Sequence, residues 1–375
     1  MKKGWQTAHF ENCIEQVKYT RKIQRKDFLD DGQFPIISQE AEFTNGYWNN
    51  EADVFKVSTP VVIFGDHTKV LKYVDFNFVL GADGVKILPP RDFLRPKFFF
   101  YQLQSANFTS LGYARHYRLL KELQIKYPTL DEQKRIVAKL DEAFVGLAKA
   151  KENAEKNLQN ARALFESHLE NIFTQRGKGW VEKRLKEVCE KITDGTHQTP
   201  KYFNEGIVFL SSRNVTSGTI DWENIKYIDT KQHLEMHKRV APRRDDILLA
   251  KNGTTGVAAI VDRDTVFDIY VSLAHLRALD VIRPRFLLHF INSPVAKLQF
   301  NRRLKGIGVP NLHLEEIREV CIAYPSDPKV QDHVAAALDE LAEETQRLAR
   351  LYEQKLEALE SLKKSILHEA FSGNL

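Results

Sequence analysis

The sequence predicts a duplicated α/β fold of mixed, α+β-like character: two globular domains separated by two long antiparallel coiled-coil helices. Three observations predict it. Short groups of residues recur in the same order in the two halves of the chain. Each half opens with short β-type runs broken by turn residues. Each half closes with a sustained heptad pattern of apolar residues.

The duplication comes first because the rest hangs on it. Gly4-Trp5 recurs as Gly179-Trp180, and Arg95-Pro96-Lys97-Phe98 as Arg283-Pro284-Arg285-Phe286. Tyr127-Pro128 recurs as Tyr324-Pro325, Leu140-Asp141-Glu142 as Leu338-Asp339-Glu340, and Phe173 as Phe371. The offsets grow from 175 through 188 to 197 and then hold at 198. The second copy therefore carries insertions, and these are confined to the part before Tyr-Pro. The part after it has a nearly fixed length.

The opening half of each repeat reads as a mixed domain with a twisted, mostly antiparallel sheet. Its β-type runs include 61–64, 207–210, 246–249 and 257–261. Asn45-Gly46, Asp83-Gly84, Asp194-Gly195, Ser217-Gly218 and Asn252-Gly253 mark turns between such runs. A helix is expected after each Arg-Pro, over 98–105 and 286–292, with Phe98-Phe99-Phe100-Tyr101 forming a buried face.

The closing half is helical. Apolar residues fall at Ile136, Leu140, Phe144, Leu147, Ala154, Leu158, Ala161, Phe165 and Ile172. In the second copy Leu338, Thr345, Tyr352, Leu359 and Ile366 are spaced by sevens, with Leu341, Leu348, Lys355 and Leu362 as the companion series. No proline interrupts either stretch, and a helix of about 40 residues reaches roughly 60 Å. The chain thus divides into a first globular domain over 1–127, a helix over 128–176, a second globular domain over 177–324 and a second helix over 325–375.

Composition narrows the function classes. The 375 residues are 43% hydrophobic and 28% charged, the profile of soluble globular proteins, with a net charge of +5 that permits nucleic-acid binding without requiring it. The longest apolar runs fall short of a membrane span, and Met1-Lys2-Lys3-Gly4-Trp5-Gln6 is not read as a signal peptide. Cys13, Cys189 and Cys321 are widely spaced and form no CxxC, which fits a reducing, cytoplasmic setting. Asp66-His67 and Thr196-His197 belong to no repeating ligand spacing, so no metal site is read from them. No GxxxxGK[ST] occurs, no glycine-rich turn resembles a methyl-donor site, and Leu88-Pro89-Pro90-Arg91 reads as a loop. No catalytic residue is assigned.

Several segments resemble a known family. Pro128-Thr129-Leu130-Asp131-Glu132-Gln133-Lys134-Arg135-Ile136-Val137 resembles the start of the central helix of Type I restriction-modification DNA-specificity subunits. The stretches 193–200, 246–249 with 253–256, and 63–68 are similar to parts of that family's target-recognition domains. The stretch 365–373 is similar to its closing segment. Pro325-Ser326-Asp327-Pro328-Lys329-Val330-Gln331 departs from the pattern by lacking the Glu-Gln pair.

The resemblance implies a non-catalytic subunit whose two target-recognition domains each read one half of a bipartite, asymmetric site on double-stranded DNA. It implies helices that set the spacer and dock two modification (methyltransferase) subunits, with restriction (ATPase/nuclease) subunits joining them. S-adenosylmethionine, ATP and Mg are then expected on those partners, with no cofactor on this chain. DNA contacts are expected among basic, turn-rich loops, where Arg and Asn can bond bidentately to base edges and Lys and Thr more often serve phosphates. The candidates are His67, Lys69, Arg115, His116 and Arg118 in the first domain. In the second they are Arg213, Asn214, Lys251, Asn252, Thr254, Thr255, Arg302, Arg303 and Lys305. Helix pairing is expected through Leu140, Leu147, Ala154, Leu338, Tyr352, Leu359 and Ile366, with Ala154 opposite Tyr352 and Leu147 opposite Leu359. The stretch Lys18–Lys26 with Tyr19 could follow a phosphate backbone or be a solvated surface. Two other readings stay open at this point: a specificity chain of another restriction class with a fused methyltransferase-nuclease partner, and a coiled-coil scaffold with no DNA role.

Overall fold

The structure is a computed structural model that describes residues 4–81, 84–106, 115–175, 177–215, 218–253, 255–304 and 311–374. It resolves into two compact units, each discontinuous in sequence. One is Met1–Glu155 with Gln354–Leu375, and the other is Lys156–Glu353. Both mix helix and sheet, and two 45-residue helices, Leu130–Thr174 and Pro328–Ser372, each contribute to both. The duplicated α/β plan with two long helices is what the sequence predicts. The linear division into four segments does not express that each unit takes one piece of each helix.

In the first unit, strand Gln6–His9 pairs antiparallel with Gln124–Tyr127 and closes the globular part. A three-stranded antiparallel sheet has Val61–Gly65 between Leu71–Val74 and Val85–Leu88. A second sheet is ordered Lys22–Ile23, Phe78–Gly81, Phe34–Ile37, Gly46–Trp48, and its first three strands run parallel. Helix Pro96–Ser105 covers the first sheet, burying Phe98, Phe99 and Tyr101 as the apolar run requires. Proline suits its first turn, where an N–H would have no helical partner.

The second unit repeats this plan with additions. Trp180–Arg184 pairs antiparallel with Cys321–Pro325. A four-stranded antiparallel sheet runs Cys189–Asp194, Leu273–Ala278, Ile247–Ala250, Ala258–Ile260. A three-stranded sheet runs Lys226–Ile228, Ile207–Leu210, Phe267–Ile269. Helix Pro284–Asn292 buries Phe286 and Phe290, and the second unit also holds helices Thr230–Met236 and Pro294–Asn301.

The same three contacts seat the long helices in both units. Gln133 and Gln331 are 0% exposed. The Gln133 amide donates to the carbonyls of Phe93 and Pro128 at 2.8 and 3.0 Å, and its oxygen accepts Arg95 N–H at 2.8 Å. The Gln331 amide donates to Val281 and Pro325 at 3.0 and 2.8 Å and accepts Arg283 N–H at 2.8 Å. Two turns along, Asp141 takes Lys97 and the Tyr101 hydroxyl, and Asp339 takes Arg285 and His289. Third, Phe98 meets Trp5 and Phe371 in the first unit, while Phe286 meets Trp180 and Phe173 in the second. The sequence pattern that lacked a Glu-Gln pair at 329–331 therefore keeps the glutamine, which is the residue the helix start uses.

Each unit's core is completed by the far end of the other repeat's helix. Leu367, Ala370 and Phe371 join Ile136 and Leu140 in the first core. Leu169 and Phe173 join Ala335 and Leu338 in the second. The two helices run antiparallel within the first unit, where Phe144 meets Lys363 at 5.5 Å and Lys151 pairs with Glu360 at 2.9 Å. Arg162 pairs with Glu353 at 2.7 Å in the second. Leu147 and Leu359, expected to face each other, line one crevice.

In the second helix the seven-spaced series is covered throughout: Leu338 and Thr345 are buried, and Tyr352, Leu359 and Ile366 are half-buried. Of the companion series, Leu341 and Leu348 are half-buried, whereas Lys355 and Leu362 are exposed. Leu356 and Lys363, one residue further on, are half-buried, and the Lys363 ammonium lies 5.5 Å from the Phe144 ring centroid.

Replacing Gln133 or Gln331 by Ala strands one buried N–H and two carbonyls, at about 1–3 kcal/mol per stranded group. We expect each variant to lower the unfolding temperature. Hydrogen exchange should rise first around 93–95 and 128–136 for Gln133→Ala, and around 281–283 and 325–334 for Gln331→Ala. Unchanged exchange at those segments would refute the role given to the glutamines.

Candidate nucleic-acid interface

The best-defined candidate surface lies in the second unit, where strand Cys189–Asp194 runs into Asp194-Gly195-Thr196-His197. Gly195 is required by close approach: a Cβ there would sit 1.9 Å from the Ile269 carbonyl oxygen. Backbone bonds from Thr196 N–H to Ile269 and from Val271 N–H to Thr196 lace this turn onto the next strand. The turn delivers the Asp194 carboxylate, 4% exposed, to Lys251 at 3.2 Å, Arg239 at 2.5 Å and His197 at 3.3 Å. Burial raises its pKa, but hydrogen bonds from Arg239 and Lys251 outweigh that and hold it below the usual carboxylate range.

Lys251 is 5% exposed, so its charge is spent on Asp194 rather than presented to solvent. Its backbone nevertheless places the next loop. Lys251 N–H bonds Ser272, its carbonyl accepts Leu312 N–H, and Asn252 bridges Asn311. The side-chain oxygens of Asn252 and Asn311 are buried without a partner among the described residues. Gly253 takes a positive φ of 76°, as its Asn-Gly turn predicts. Thr255 is half-buried, and Gly256 lies against Phe300 of helix Pro294–Asn301. Arg302 is exposed at that helix's end, whereas Arg303 folds back on the Gln299 carbonyl at 3.0 Å. Thr254 and Lys305 lie outside the described residues.

A second polar cluster explains Asp246-Ile247-Leu248-Leu249. Asp246, 2% exposed, receives Arg277 at 2.9 and 2.8 Å, His275 at 2.7 Å and Arg243 N–H at 2.9 Å. Burial pushes its pKa up, yet the Arg277 and His275 bonds prevail and take it to about 2. This aspartate anchors the sheet.

A third group is exposed. Arg213 projects from a short turn of 3-10 helix after Ile207–Leu210. Asn214 beside it is 6% exposed and bonds Ser211 N–H and the carbonyls of Asp221 and Asn224, so it braces the loop. Lys226 stands 4.0 Å from the Tyr202 ring centroid, and Tyr202 and Phe203 are 41% and 38% exposed. Lys201 lies over the Phe203 ring at 5.6 Å, whereas Lys226 lies 24 residues from Tyr202 and reaches it through the bridge between Phe203 and Tyr227, a proximity that sequence spacing does not reveal.

In the first unit, Asp66 organises the turn that carries His67 and Lys69. Its carboxylate accepts Tyr117 N–H at 2.7 Å, and its carbonyl lies 3.0 Å from His116 Nδ1. His116 is 1% exposed and belongs to the interior. Lys69, at a positive φ of 61°, and His67 are half-buried, while Arg115 and Arg118 are exposed. In the basic stretch, Lys22 lies over Tyr19 at 5.3 Å and Arg25 pairs with Glu40 at 3.5 Å.

Three comparisons bear on this arrangement. A family model described as the Type I restriction modification DNA specificity domain matches residues 3–156 and again 177–359. The specificity subunit of the Type I restriction enzyme EcoBI from Escherichia coli is 23% identical, the match covering 89% of this chain and 76% of that one. A solved chain, from work on complex assembly and conformational transition of the type I R-M system, superposes with a TM-score of 0.76 at 19% identity, covering 100% of this chain and 99% of that one. The HsdS subunit from Thermoanaerobacter tengcongensis gives 0.56 at 18% identity, covering 100% and 98%. At these identities the two structures establish a shared fold.

Asp246 yields a pH prediction. A carboxyl held at about 2 in the folded chain, against 3.8 for an unperturbed one, stabilises the fold above the higher value. That contribution is lost as pH falls through the lower one. We expect acid to destabilise the second unit between about pH 4 and pH 2, by about 2 kcal/mol from this group. In Asp246→Asn the fold should be weaker at pH 7 and this part of the acid transition should be missing. An unchanged acid transition would contradict the assignment.

Proposed function

The chain belongs to the Type I restriction modification DNA specificity family, and from that membership we propose how it works as the specificity subunit of a restriction-modification complex. Each unit reads one half of a bipartite, asymmetric duplex site. The observation that carries this reading is a repeated frame with unequal surfaces. The glutamine, aspartate and aromatic contacts recur residue for residue, whereas the exposed groups differ: Arg115 and Arg118 on one unit, Arg213, Lys226, Tyr202 and Arg302 on the other. Two different surfaces suit two different half-sites. Phosphate contacts would position each unit, and base-edge contacts would discriminate sequence.

The long helices are the spacer ruler and the docking surface for two modification subunits, with restriction subunits joining that assembly. Their exposed residues Val145, Leu164, Leu351 and Leu362 offer apolar contact outside the seam. Methyl transfer, ATP-driven translocation and cleavage reside on those partners, which hold S-adenosylmethionine, ATP and Mg. On this reading the chain is a non-catalytic, cytoplasmic subunit, as its family membership implies. No helix among the described residues is long and apolar enough to cross a membrane.

Exchanging residues 1–127 for the matching part of another family member should alter one half-site in the genomic methylation pattern and leave the other intact. A change in both would sink the two-reader model. Inserting one heptad in each long helix should lengthen the spacer and preserve both half-sites; an unchanged spacer would refute the ruler. Arg213→Ala should weaken duplex binding and, if the side chain meets a phosphate, flatten the salt dependence by about one unit of slope. Equal affinity would remove Arg213 from the interface.

A further inference from the structure

His233 and His237 stand one turn apart on and just after helix Thr230–Met236 in the second unit, so the i,i+4 spacing turns both imidazoles to one side. Facing them is Asp268, in the middle of strand Phe267–Ile269 and 1% exposed. Its two oxygens lie 2.7 Å from His233 Nδ1 and 3.0 Å from His237 Nδ1. The three donor atoms lie within 4.8 Å of one another.

Both supporting elements are fixed. Asp229 caps the helix by accepting Gln232 N–H at 2.8 Å. The Gln232 side chain clamps both the N–H and the carbonyl of Lys201, at 2.8 and 3.0 Å. Asp268 pairs with Phe209 across a parallel ladder and is flanked by Phe267 and Ile269, 0% and 1% exposed.

Within the second unit this buried aspartate differs from Asp194 and Asp246 in its partners. A buried carboxylate among apolar side chains needs a compensating cation. Asp194 has Lys251 and Arg239, and Asp246 has Arg277. The ion-pair partners of Asp268 among the described residues are the two imidazoles, each on its own carboxylate oxygen. Two imidazole nitrogens and a carboxylate are a donor set for a divalent first-row transition metal, zinc above all. A tetrahedral ion with bonds of about 2.0–2.1 Å needs its ligands about 3.3 Å apart. The imidazole–carboxylate separations of 2.7 and 3.0 Å lie near that value, and the donor set as a whole lies within 4.8 Å, so closing on an ion draws its most distant pair together. The side chain of His237 is 32% exposed and that of His233 15%, leaving an open side where water completes the fourth position.

We infer that His233, His237 and Asp268 form a divalent transition-metal site that pins helix Thr230–Met236 to the sheet of the second unit. This stands independently of DNA reading, since none of the three is among the surface groups assigned to it. A helix of seven residues has little stability of its own, so a tie to a strand is a physical reason for such a site.

The test uses the untagged full chain, stripped with chelator and titrated with zinc alone. One equivalent should bind, the unfolding temperature should rise, and cobalt should give the intense visible absorption of a tetrahedral nitrogen-oxygen site. His237→Gln removes a partly exposed ligand without opening the core and should weaken zinc binding by about tenfold or more. His233→Gln should do the same, and both should abolish the cobalt spectrum. Substoichiometric zinc on the wild-type chain would overturn the site, leaving a hydrogen-bonded His-Asp-His cluster. So would a full equivalent that both glutamine variants still bind with wild-type affinity.

Discussion

Each repeat depends on one buried glutamine. Gln133 and Gln331 sit at the start of a 45-residue helix, and their side chains satisfy three backbone groups from two other segments. An amide in that position has no access to water, so its hydrogen bonds must all be met by the protein or the site fails. That condition fixes three things at once: where the long helix begins, how the Arg-Pro helix starts beside it, and where the last strand of the globular part ends. Asp141 and Asp339 then hold the same helix face two turns on, through Lys97 and Tyr101 or Arg285 and His289. A lever joined to its domain at two such points is set in direction as well as position.

The cores make the two repeats interdependent. Phe371, at the end of the second helix, fills the first unit against Phe98, and Phe173 fills the second against Phe286. Neither repeat, as a continuous piece of chain, owns all the apolar surface its core requires. Large aromatic side chains contribute heavily to such cores, so a lone half would leave a hydrophobic face open. The sequence places these phenylalanines at the same offset of 198 as Leu140 and Leu338, so the two helices keep equal length from their seated start to the phenylalanine.

Regular features were legible in the sequence, and irregular ones were not. The repeat, the strands near 61–65 and 207–210, the Arg-Pro helices and the first-helix seam follow from periodicity, and periodicity is visible in one dimension. The companion series of the second helix holds at Leu341 and Leu348 and fails at Lys355 and Leu362, where Leu356 and Lys363, one residue further on, are the covered ones. Gln331 was overlooked because the pattern around it has no Glu. The loop residues divide less well. Asn214, Lys251 and His116 look like Arg213 and Arg115 on paper, since polarity does not say whether the partner is protein or solvent. The structure gives the first three interior partners at Ser211, Asp194 and Asp66. The His233 and His237 spacing was readable, but Asp268 lies 31 residues further on and reaches them only through sheet pairing.

Interior polar groups and exposed ones therefore do different jobs. In the second unit Asp194 and Asp246 both lie at the ends of strands, and each draws arginine or lysine inward. The Asp194–Lys251 pair ties the end of strand Cys189–Asp194 to the end of strand Ile247–Ala250, and Asp246 with Arg277 fixes the start of the latter. Removing one partner of such a pair would leave an uncompensated buried charge, which is far more damaging than losing a surface residue. Asn214 holds the loop that carries Arg213 through bonds of its own to Ser211, Asp221 and Asn224. A frame of buried, mutually satisfied polar groups thus permits the surface to vary while its geometry stays put. That separation is what a duplicated reader of two unlike half-sites requires, because each surface can diverge without altering the helices that relate them.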